Sequence, residues 1–189
     1  MVVKPHYYYK IYKPYGYLSQ FVNHQNKRKN KKLLGELAQV PAGTMAVGRL
    51  DEKSEGLLLL TTDGKFSHTI TSSAIEKEYH VMVDGQINTN ALTQLRNGVD
   101  ISVHKTKYTT KPCKVRLLEH NSHIIDRFVR HEKHGPTSWL SITLTEGKFR
   151  QVRKMTAKVG FPTLRLVRVR IGGYSLNDMT PGQLAPIDF

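Results

Sequence analysis

Residues 47–61, VGRLDEKSEGLLLLT, decide the fold. A charged loop bounded by Gly48 and Gly56 lies between two apolar segments, residues 44–47 and 57–61, and each segment has the length and composition of a short strand. Because strands on both sides would hold the loop rigidly, they would present its side chains in a fixed geometry, as a functional loop requires.

The charges in this loop fit a catalytic carboxylate. Arg49 and Asp51 are two residues apart, so both side chains can lie on one face of an extended segment. A nearby arginine keeps a carboxylate ionised, and a nucleophilic carboxylate must be ionised. A β-turn whose Asp and Glu side chains are merely solvated is an equally good interpretation, and the loop by itself does not decide between the two.

The rest of the chain contains more strands than helices. Strands are expected at residues 7–12, 78–83, 115–118, 139–144 and 164–171. Helices are expected at residues 33–37, 66–72, 88–97 and 149–159. Because the two kinds of element do not alternate strictly, we expect an α+β fold built on a largely antiparallel sheet. Cys113 lies in a strand-like stretch and is interpreted as structural.

The net charge indicates a polyanionic partner. The chain of 189 residues contains 29 Lys and Arg against 15 Asp and Glu, which gives a formal net charge of +14. Such a surplus favours nucleic acid as the partner over a merely well-solvated surface. The basic residues form a run at 27–32 and a group at 148–158, on the helix predicted there. A third set, at 165–170, lies in the last long strand.

Several other classes of protein are excluded. The longest apolar run, residues 57–60, is too short for a membrane span, and the N-terminus has no apolar signal core. Cys113 is the one cysteine, so neither an internal disulfide nor a multi-cysteine metal site can form. Glycine motifs for nucleotide cofactors are absent. His131 and His134 lack the four-residue spacing of a zinc-binding helix, so we expect a solvated loop there.

Four motifs resemble those of one enzyme family. GRLD at 48–51, followed by SEGLL at 54–58, resembles the catalytic motif of the pseudouridine synthases, specifically of the RsuA/RluB/RluE/RluF group. KPYG at 13–16 is similar to the first motif of that family, and KEY at 77–79 to the segment with its active-site tyrosine. EGKFRQVRKM at 146–155, together with LRL at 164–166, is similar to its third motif. Order and spacing agree over nearly the whole chain.

Within this group the chain is most similar to the RluE type. Most members carry an N-terminal S4-type RNA-binding domain, whereas here the first motif begins at Lys13, so we expect one catalytic domain over residues 1–189. PTSWL at 136–140 and KVGFPTLRL at 158–166 also resemble this type. The resemblance implies a pseudouridine synthase fold, with helices flanking a mixed sheet and a central active-site cleft. It also implies isomerisation of a specific uridine in 23S rRNA after base flipping, without a cofactor or a metal.

The resemblance also implies the roles of the site residues. Asp51 is the nucleophile, Arg153 pairs with it, and Tyr79 stacks on the target base and relays a proton. The expected substrate-binding residues are Arg49, Leu166, Lys77, Arg150 and Lys13. Among these, Arg49 is expected to occupy the space that the flipped uridine leaves or to hold its phosphate, and Lys13 to support the site from below. The run at 27–32 is expected to clamp RNA.

Other functions stay open. A basic RNA-binding module of the same fold without catalysis would have the same composition, although it would have no physical reason to keep Asp51, Tyr79 and Arg153 together. A hydrolase that uses Asp51 and Glu55 would need a general acid, which the sequence does not indicate. A synthase could also act on another RNA site. The partner we expect is 23S rRNA or a ribosomal assembly intermediate, and the protein is expected to be a cytoplasmic monomer without a membrane contact.

Overall fold

A nine-stranded mixed sheet is the centre of the molecule. The computed structural model describes residues 5–22, 30–72, 75–119 and 124–187. The first strands are β1 (Tyr8–Lys13), β2 (Tyr17–Leu18), β3 (Lys32–Leu33), β4 (Met45–Val47), β5 (Glu55–Thr61) and β6 (Lys77–Asp84). The later strands are β7 (Asp100–Val103), β8 (Thr106–Thr109), β9 (Lys114–Leu118), β10 (Thr137–Leu144), β11 (Thr163–Ile171), β12 (Tyr174–Ser175) and β13 (Leu184–Pro186).

The sheet is antiparallel at every pairing except one. Its order is β13-β1-β5-β11-β6-β10-β9, while β4 also pairs with β5 and β12 with β11. Among the described strands of this sheet, the one parallel pair is β5–β11. Two short pairs, β2–β3 and β7–β8, lie outside this sheet. The largely antiparallel α+β fold expected from the sequence is therefore confirmed.

Three α-helices cover the sheet. They are α1 (Gly64–Thr71), α2 (Thr89–Asn97) and α3 (Gln151–Lys158), and the described chain adds 3-10 turns at Leu34–Glu36 and Glu132–His134. Ala91 and Leu95 of α2 and Val152 and Met155 of α3 pack in one apolar cluster with β6 and β10. Helix α1 contributes Ile70 to a second cluster. The apolar stripe of each helix therefore faces the sheet.

Strand β5 lies in the middle of the sheet and is buried on both faces. All seven of its residues are buried. Leu57 and Leu59 pack into one apolar cluster, while Leu58 and Leu60 pack into another on the opposite face. A continuous apolar run is the pattern of a strand covered on both sides. The acidic loop thus leads directly into the most deeply buried strand.

Gly56 allows β5 and β11 to approach each other. Its φ is +102°, and a Cβ there would lie 2.3 Å from the backbone oxygen of Arg168 and 2.7 Å from its nitrogen. Neither position can move without breaking the β5–β11 pairing, in which Arg168 is opposite Gly56. Only glycine fits this position.

Several local expectations were wrong. The helix expected at residues 33–37 is a single 3-10 turn, because Gly35 and the following Pro41 limit its length. Residues 55 and 56, expected in the loop, belong to β5. The hairpin β7–β8 was not expected, and Cys113 precedes β9 rather than lying in a strand.

Two predicted segments fall partly outside the described residues. Of the basic run, residues 27–29 are outside, and Lys31 forms an ion pair of 2.7 Å with Glu52. Of the polar segment 120–136, residues 120–123 are outside. Its described part has the 3-10 turn and is joined to the sheet by Arg127 and Arg130, which pair with Glu55 and Asp84.

The substitution Gly56→Ala is expected to lower the free energy of unfolding by more than about 2 kcal/mol, because the added methyl group overlaps backbone atoms and the residue has a positive φ. Urea denaturation measures this. Gly64→Ala is the control, since nothing lies within 4 Å of a Cβ at that position. Equal midpoints for the two variants would contradict the close approach of β5 and β11.

Candidate active site

A pocket of about 420 Å³ lies beside the loop that joins β4 to β5. Six of the eight predicted site residues line it: Arg49, Asp51, Lys77, Tyr79, Arg150 and Leu166. Lys13 and Arg153 do not line it. Further polar lining residues, which are not among the predicted site residues, include Ser54, Tyr108, Lys111, Glu146, Lys148, Gln151 and Arg168.

Four separate parts of the chain meet at this pocket. Asp51 comes from the β4–β5 loop, Tyr79 from β6, Leu166 from β11 and Arg150 from the residue before α3. Strand β11 pairs with β5 on one side and with β6 on the other. The central position of β11 therefore brings the loop after β4 next to the tyrosine of β6.

Four hydrogen bonds to backbone atoms hold the loop around Asp51. The Ser19 hydroxyl accepts from the Leu50 N–H and donates to the Leu50 carbonyl, each at 2.9 Å, and both residues are buried. The Gly16 N–H donates to the Glu52 carbonyl at 2.9 Å. Asp51 itself accepts from the Ser54 N–H at 2.9 Å through its backbone carbonyl. The residues on both sides of Asp51 are thus fixed, which gives its side chain a defined position.

The carboxylate of Asp51 pairs with Arg150 and not with Arg153. Asp51 Oδ2 lies 3.8 Å from Arg150 Nη1, and the Asp51 side chain is 28% exposed. Arg153 instead donates to the Lys53 carbonyl at 2.7 Å and more weakly to Ser54 Oγ at 3.4 Å. In this structure Arg153 therefore contacts the backbone and Ser54 beside Asp51 rather than its carboxylate, and the Arg153–Asp51 pair stays a prediction. Arg153 Nε is buried and has no hydrogen-bond partner among the described residues.

The backbone conformation of Arg150 explains why Arg150, and not Arg153, contacts the Asp51 carboxylate. Arg150 lies just before α3 in the left-handed region, with φ 53° and ψ 35°, so its side chain leaves the chain in a direction that a helical residue could not adopt. Arg153 lies inside α3 and reaches the end of the loop. Burial lowers the pKa of Arg153, the charge of Arg150 lowers it further, and the charge of Asp51 opposes both effects.

A buried carboxylate holds the segment that carries Arg150. Glu146 accepts hydrogen bonds from the Tyr108 hydroxyl, from the Lys111 N–H at 2.9 Å and from Gln151 Nε2 at 2.5 Å. Burial alone would raise the pKa of Glu146, but these three donors outweigh it and hold the pKa below its ordinary value. Gln151 Oε1 in turn accepts from the Lys148 N–H at 2.9 Å. The turn before α3 is therefore rigid.

Tyr79 and Leu166 form an apolar wall of the pocket. They are 9% and 6% exposed. The Tyr79 hydroxyl has no hydrogen-bond partner within the part of the chain that the structure describes, and the ring is opposite Arg168 in the β6–β11 register. Lys77, two residues before Tyr79, donates to the Ile75 carbonyl at 3.0 Å, and burial, then the charge of Arg168, lowers its pKa.

Arg168 is a lining residue that the sequence indicated only as part of a basic strand. It is 4% exposed, and its Nε donates to the Leu57 carbonyl at 2.8 Å. Its Nη2 is buried without a hydrogen-bond partner in the described residues. A buried guanidinium with an unused donor carries a desolvation cost that a bound acceptor could remove.

Lys13 lies under the loop and outside the pocket. It is fully buried, and its Nζ donates to the carbonyls of Pro14 and Tyr17 at 3.0 and 2.7 Å. Burial lowers the pKa of Lys13 to about 8, against the raising effects of Glu55 and the other nearby carboxylates. The position of Lys13 fits the supporting role that was also expected, and its role in substrate binding stays a prediction.

Glu55 takes no part in the pocket. It is 2% exposed and is held by Arg165, whose Nη2 lies 2.8 Å from its Oε2, and by Arg127, whose Nε lies 2.9 Å from its Oε1. A carboxylate with two arginine partners is not a general acid beside Asp51. This position of Glu55 disagrees with the hydrolase that would use Asp51 and Glu55.

Neither a cluster of metal-binding residues nor a membrane-spanning helix is present in the described residues. Within the ranges that the structure describes, no group of three or more His, Cys, Asp or Glu residues could hold a metal ion. In the same ranges no helix is long and apolar enough to cross a membrane.

The sequence matches one protein family over most of its length. Residues 7–158 match the sequence model of RNA pseudouridylate synthase. The chain belongs to this family. The predictions of its fold, its family and its enzyme class, an isomerase that forms pseudouridine, are therefore confirmed. RNA is the substrate class of the family.

Individual pseudouridine synthases are similar over the same region. The ribosomal large subunit pseudouridine synthase E of Xanthomonas campestris pv. campestris is 45% identical over 90% of this chain and 90% of its own length. The protein of the same name from Vibrio parahaemolyticus is 42% identical over 90% of this chain and 69% of its own length. A crystal structure of pseudouridylate synthase covers 100% of this chain and 73% of its own, with a TM-score of 0.77 and 26% identity.

The substitution Ser19→Ala is expected to lower kcat for pseudouridine formation about 10- to 100-fold, because the loop that carries Asp51 loses both contacts to Leu50. The free energy of unfolding is expected to fall by about 1–3 kcal/mol. Ser141→Ala is the matched control, since it removes a buried serine that contacts Glu78 at 2.7 Å, away from the pocket. Equal kcat values for the two variants would contradict the role given to Ser19.

Lys13 is expected to make stability depend on pH. Its pKa falls from 10.5 in the unfolded chain to about 8 in the fold, so between these values the unfolded state binds more protons and stability rises with pH. The free energy of unfolding of the wild type, minus that of Lys13→Met, is therefore expected to increase from pH 7 to pH 10. Urea denaturation across this range measures it, and a flat or falling difference would contradict the lowered pKa.

Proposed function

We propose that this protein converts a specific uridine of 23S rRNA to pseudouridine, with Asp51 as the nucleophile. The observation that carries the proposal is the position of Asp51 at the wall of a pocket that also contains Tyr79, Leu166 and Arg150. The names of the similar proteins, which act on the large ribosomal subunit, support the choice of RNA.

The reaction needs little besides these side chains. The N1–C1′ bond breaks, the uracil turns, and a C5–C1′ bond forms while the C5 hydrogen leaves as a proton and N1 gains one. Since no electrons or groups leave the nucleoside, the reaction has no need of a cofactor. Asp51 acts either by attacking the sugar or by removing a sugar proton, and both routes need the same carboxylate beside the same ring.

The target uridine has to leave the RNA stack to reach Asp51. Flipping costs a few kcal/mol, which contacts inside the pocket must offset. The volume of about 420 Å³ lies within the range of small-molecule pockets. Tyr79 offers a flat ring for stacking on the uracil, with Leu166 beside it. Arg49 is exposed at the pocket and is assigned to the space that the uridine vacates or to its phosphate.

The charges around the pocket favour a polyanion. Its cationic lining residues are Arg49, Lys77, Lys111, Lys148, Arg150 and Arg168, against the carboxylates of Asp51 and Glu146. Phosphate groups on both sides of the flipped nucleotide would find positive partners. Arg150 orients Asp51 before substrate binds, and Arg153 holds the end of the loop in place.

The proposal extends to the cellular setting. We assign the protein to the cytoplasm, where ribosomal RNA is modified, and to a monomeric state. Its substrate is either the free 23S rRNA or an assembly intermediate. The catalytically inactive RNA-binding module is the other candidate, and the experiment below separates the two.

The first experiment measures tritium release from unmodified 23S rRNA labelled at uridine C5. The wild type is expected to release tritium stoichiometrically with RNA, whereas Asp51→Asn is expected to release none while keeping its affinity for RNA, because the carboxylate is lost and the cationic lining remains. Asp126→Asn is the control, since Asp126 is an exposed carboxylate outside the pocket.

Each contrary result has a definite meaning. No release from free or ribosomal RNA, with tight binding retained, would support the inactive binding module. Release from 16S rRNA in place of 23S rRNA would overturn the assigned substrate. Full activity of Asp51→Asn would overturn the assigned nucleophile.

A further inference from the structure

Left-handed residues are concentrated next to the pocket. The described residues include four non-glycine positions with positive φ: His104 at 50°, Lys105 at 67°, Arg150 at 53° and Asn177 at 47°. Such a conformation costs about 1–2 kcal/mol for a lysine or an arginine. Arg150 already has a role at Asp51, so His104 and Lys105 are the pair that needs an explanation.

These two residues form the turn between β7 and β8. A two-residue turn with positive φ at both positions ordinarily carries Asn-Gly or a similar pair, which adopts it with little strain. Here both residues are large, charged or ring-bearing, and exposed. A favoured pair would form the same turn with less strain, so the strain points to a use for the side chains themselves.

The His104 ring stacks on Phe149, and we call this pair the aromatic platform. The ring centroids are 5.8 Å apart with an interplanar angle of 25°. Phe149 is 55% exposed. Lys154 Nζ lies 5.0 Å from the Phe149 ring centroid and donates to the Ser102 carbonyl at 2.7 Å, so it ties the hairpin to α3.

The platform is continuous with the pocket. Phe149 lies between Lys148 and Arg150 in the sequence, and both of those residues line the pocket. From the hairpin side, Tyr108 of β8 also lines it, and Lys148 Nζ lies 4.8 Å from the Tyr108 ring centroid. The hairpin and the start of α3 thus supply both the pocket wall and the exposed rings beside it.

The surroundings of the platform are strongly basic. The cations on the hairpin, on the turn before α3 and on α3 itself are Lys105, Lys107, Lys148, Arg150, Arg153, Lys154 and Lys158. The one carboxylate of the hairpin, Asp100, is paired with Lys107 at 2.9 Å. Exposed aromatic rings among cations are the arrangement that binds single-stranded nucleic acid, because the rings stack on bases while the cations contact the phosphates.

We propose that the aromatic platform is a second nucleobase subsite, which stacks an unpaired base adjacent to the flipped uridine. The inference rests on the proposed function, since flipping the uridine removes a stacking partner from its neighbour. The platform replaces that partner, and Lys105 and Lys148 contact the phosphates on either side. Part of the cost of opening the RNA is thereby offset outside the catalytic pocket.

The first test measures affinity for a short, unstructured, fluorescein-labelled RNA by fluorescence anisotropy. Phe149→Ala is expected to weaken binding about tenfold, with an unchanged dependence on salt, because stacking releases no counterions. Phe149→Tyr is expected to restore the affinity. Phe128→Ala is the matched control, since Phe128 is 69% exposed and lies outside the pocket. Wild-type affinity for Phe149→Ala would overturn the proposal.

A second variant separates binding from folding. His104→Asn combined with Lys105→Gly gives the turn residues that adopt positive φ with little strain, so Tm is expected to rise by about 2–4 °C. The same variant removes a ring and a cation, so RNA binding is expected to weaken. A more stable protein with unchanged RNA affinity would overturn the proposal.

The final test locates the base that stacks. It uses RNA oligonucleotides that span the uridine modified in the tritium assay, with the neighbour on one side or the other replaced by an abasic nucleotide. With the wild type, one of the two abasic oligonucleotides is expected to have a KM about tenfold higher than the intact RNA, with little change in kcat. With Phe149→Ala, the same abasic oligonucleotide and the intact RNA are expected to have equal KM values. An equal rise in KM for both proteins would overturn the assignment of this base to the platform.

The outcomes keep this inference separate from the proposed function. If the wild type releases no tritium but Phe149→Ala still weakens RNA binding, the proposed reaction fails and the stacking surface stands. If the wild type is active and neither variant changes affinity or KM, the reaction stands and the platform is overturned.

Discussion

The buried ion pair between Glu55 and Arg165 is the interaction on which the site depends. Both side chains are at most 3% exposed, and the residues lie 110 positions apart in the sequence. Removing one partner would leave a buried charge, which costs about 3–5 kcal/mol in such pairs. The pair fixes the start of β5 against β11, while Arg127 joins the segment after β9 to the same carboxylate. This ion pair therefore sets the distance from the Asp51 loop to Leu166.

The pocket combines an apolar wall from the central sheet with a cationic lining that comes partly from the same strands and partly from the turn before α3. Tyr79 and Leu166 belong to strands of the central sheet, whose positions are set by many hydrogen bonds. Arg150 and Lys148 belong to a turn, and Glu146 fixes that turn through donors from three other positions. A rigid wall suits stacking on a flat base. Hydrogen bonds hold the turn in place, so its cations can contact phosphates whose positions are set by the RNA.

Local patterns in the sequence predicted the long strands and the three α-helices, because alternation and helical spacing are short-range properties. The residues that meet at the pocket were implied instead by the resemblance to the motifs of the family. The failures are long-range or conformational. The burial of Glu55 depends on Arg165, which no local pattern reveals. The β7–β8 hairpin was missed because its turn is His104-Lys105 rather than a favoured pair. Asp51 contacts Arg150 rather than Arg153 because Arg150 has a left-handed backbone conformation. A helical sequence pattern does not predict that φ.

Cys113 has a consequence for spectroscopy. It is the single cysteine of the chain, its Sγ lies 3.2 Å from the Leu95 carbonyl, and burial raises the pKa of its thiol to about 11. Because the thiolate is the reactive form, this thiol is nearly inert towards maleimides and mild oxidants at neutral pH. A cysteine introduced on the surface could therefore be labelled selectively with a fluorophore or a spin probe, while the native thiol stays in place.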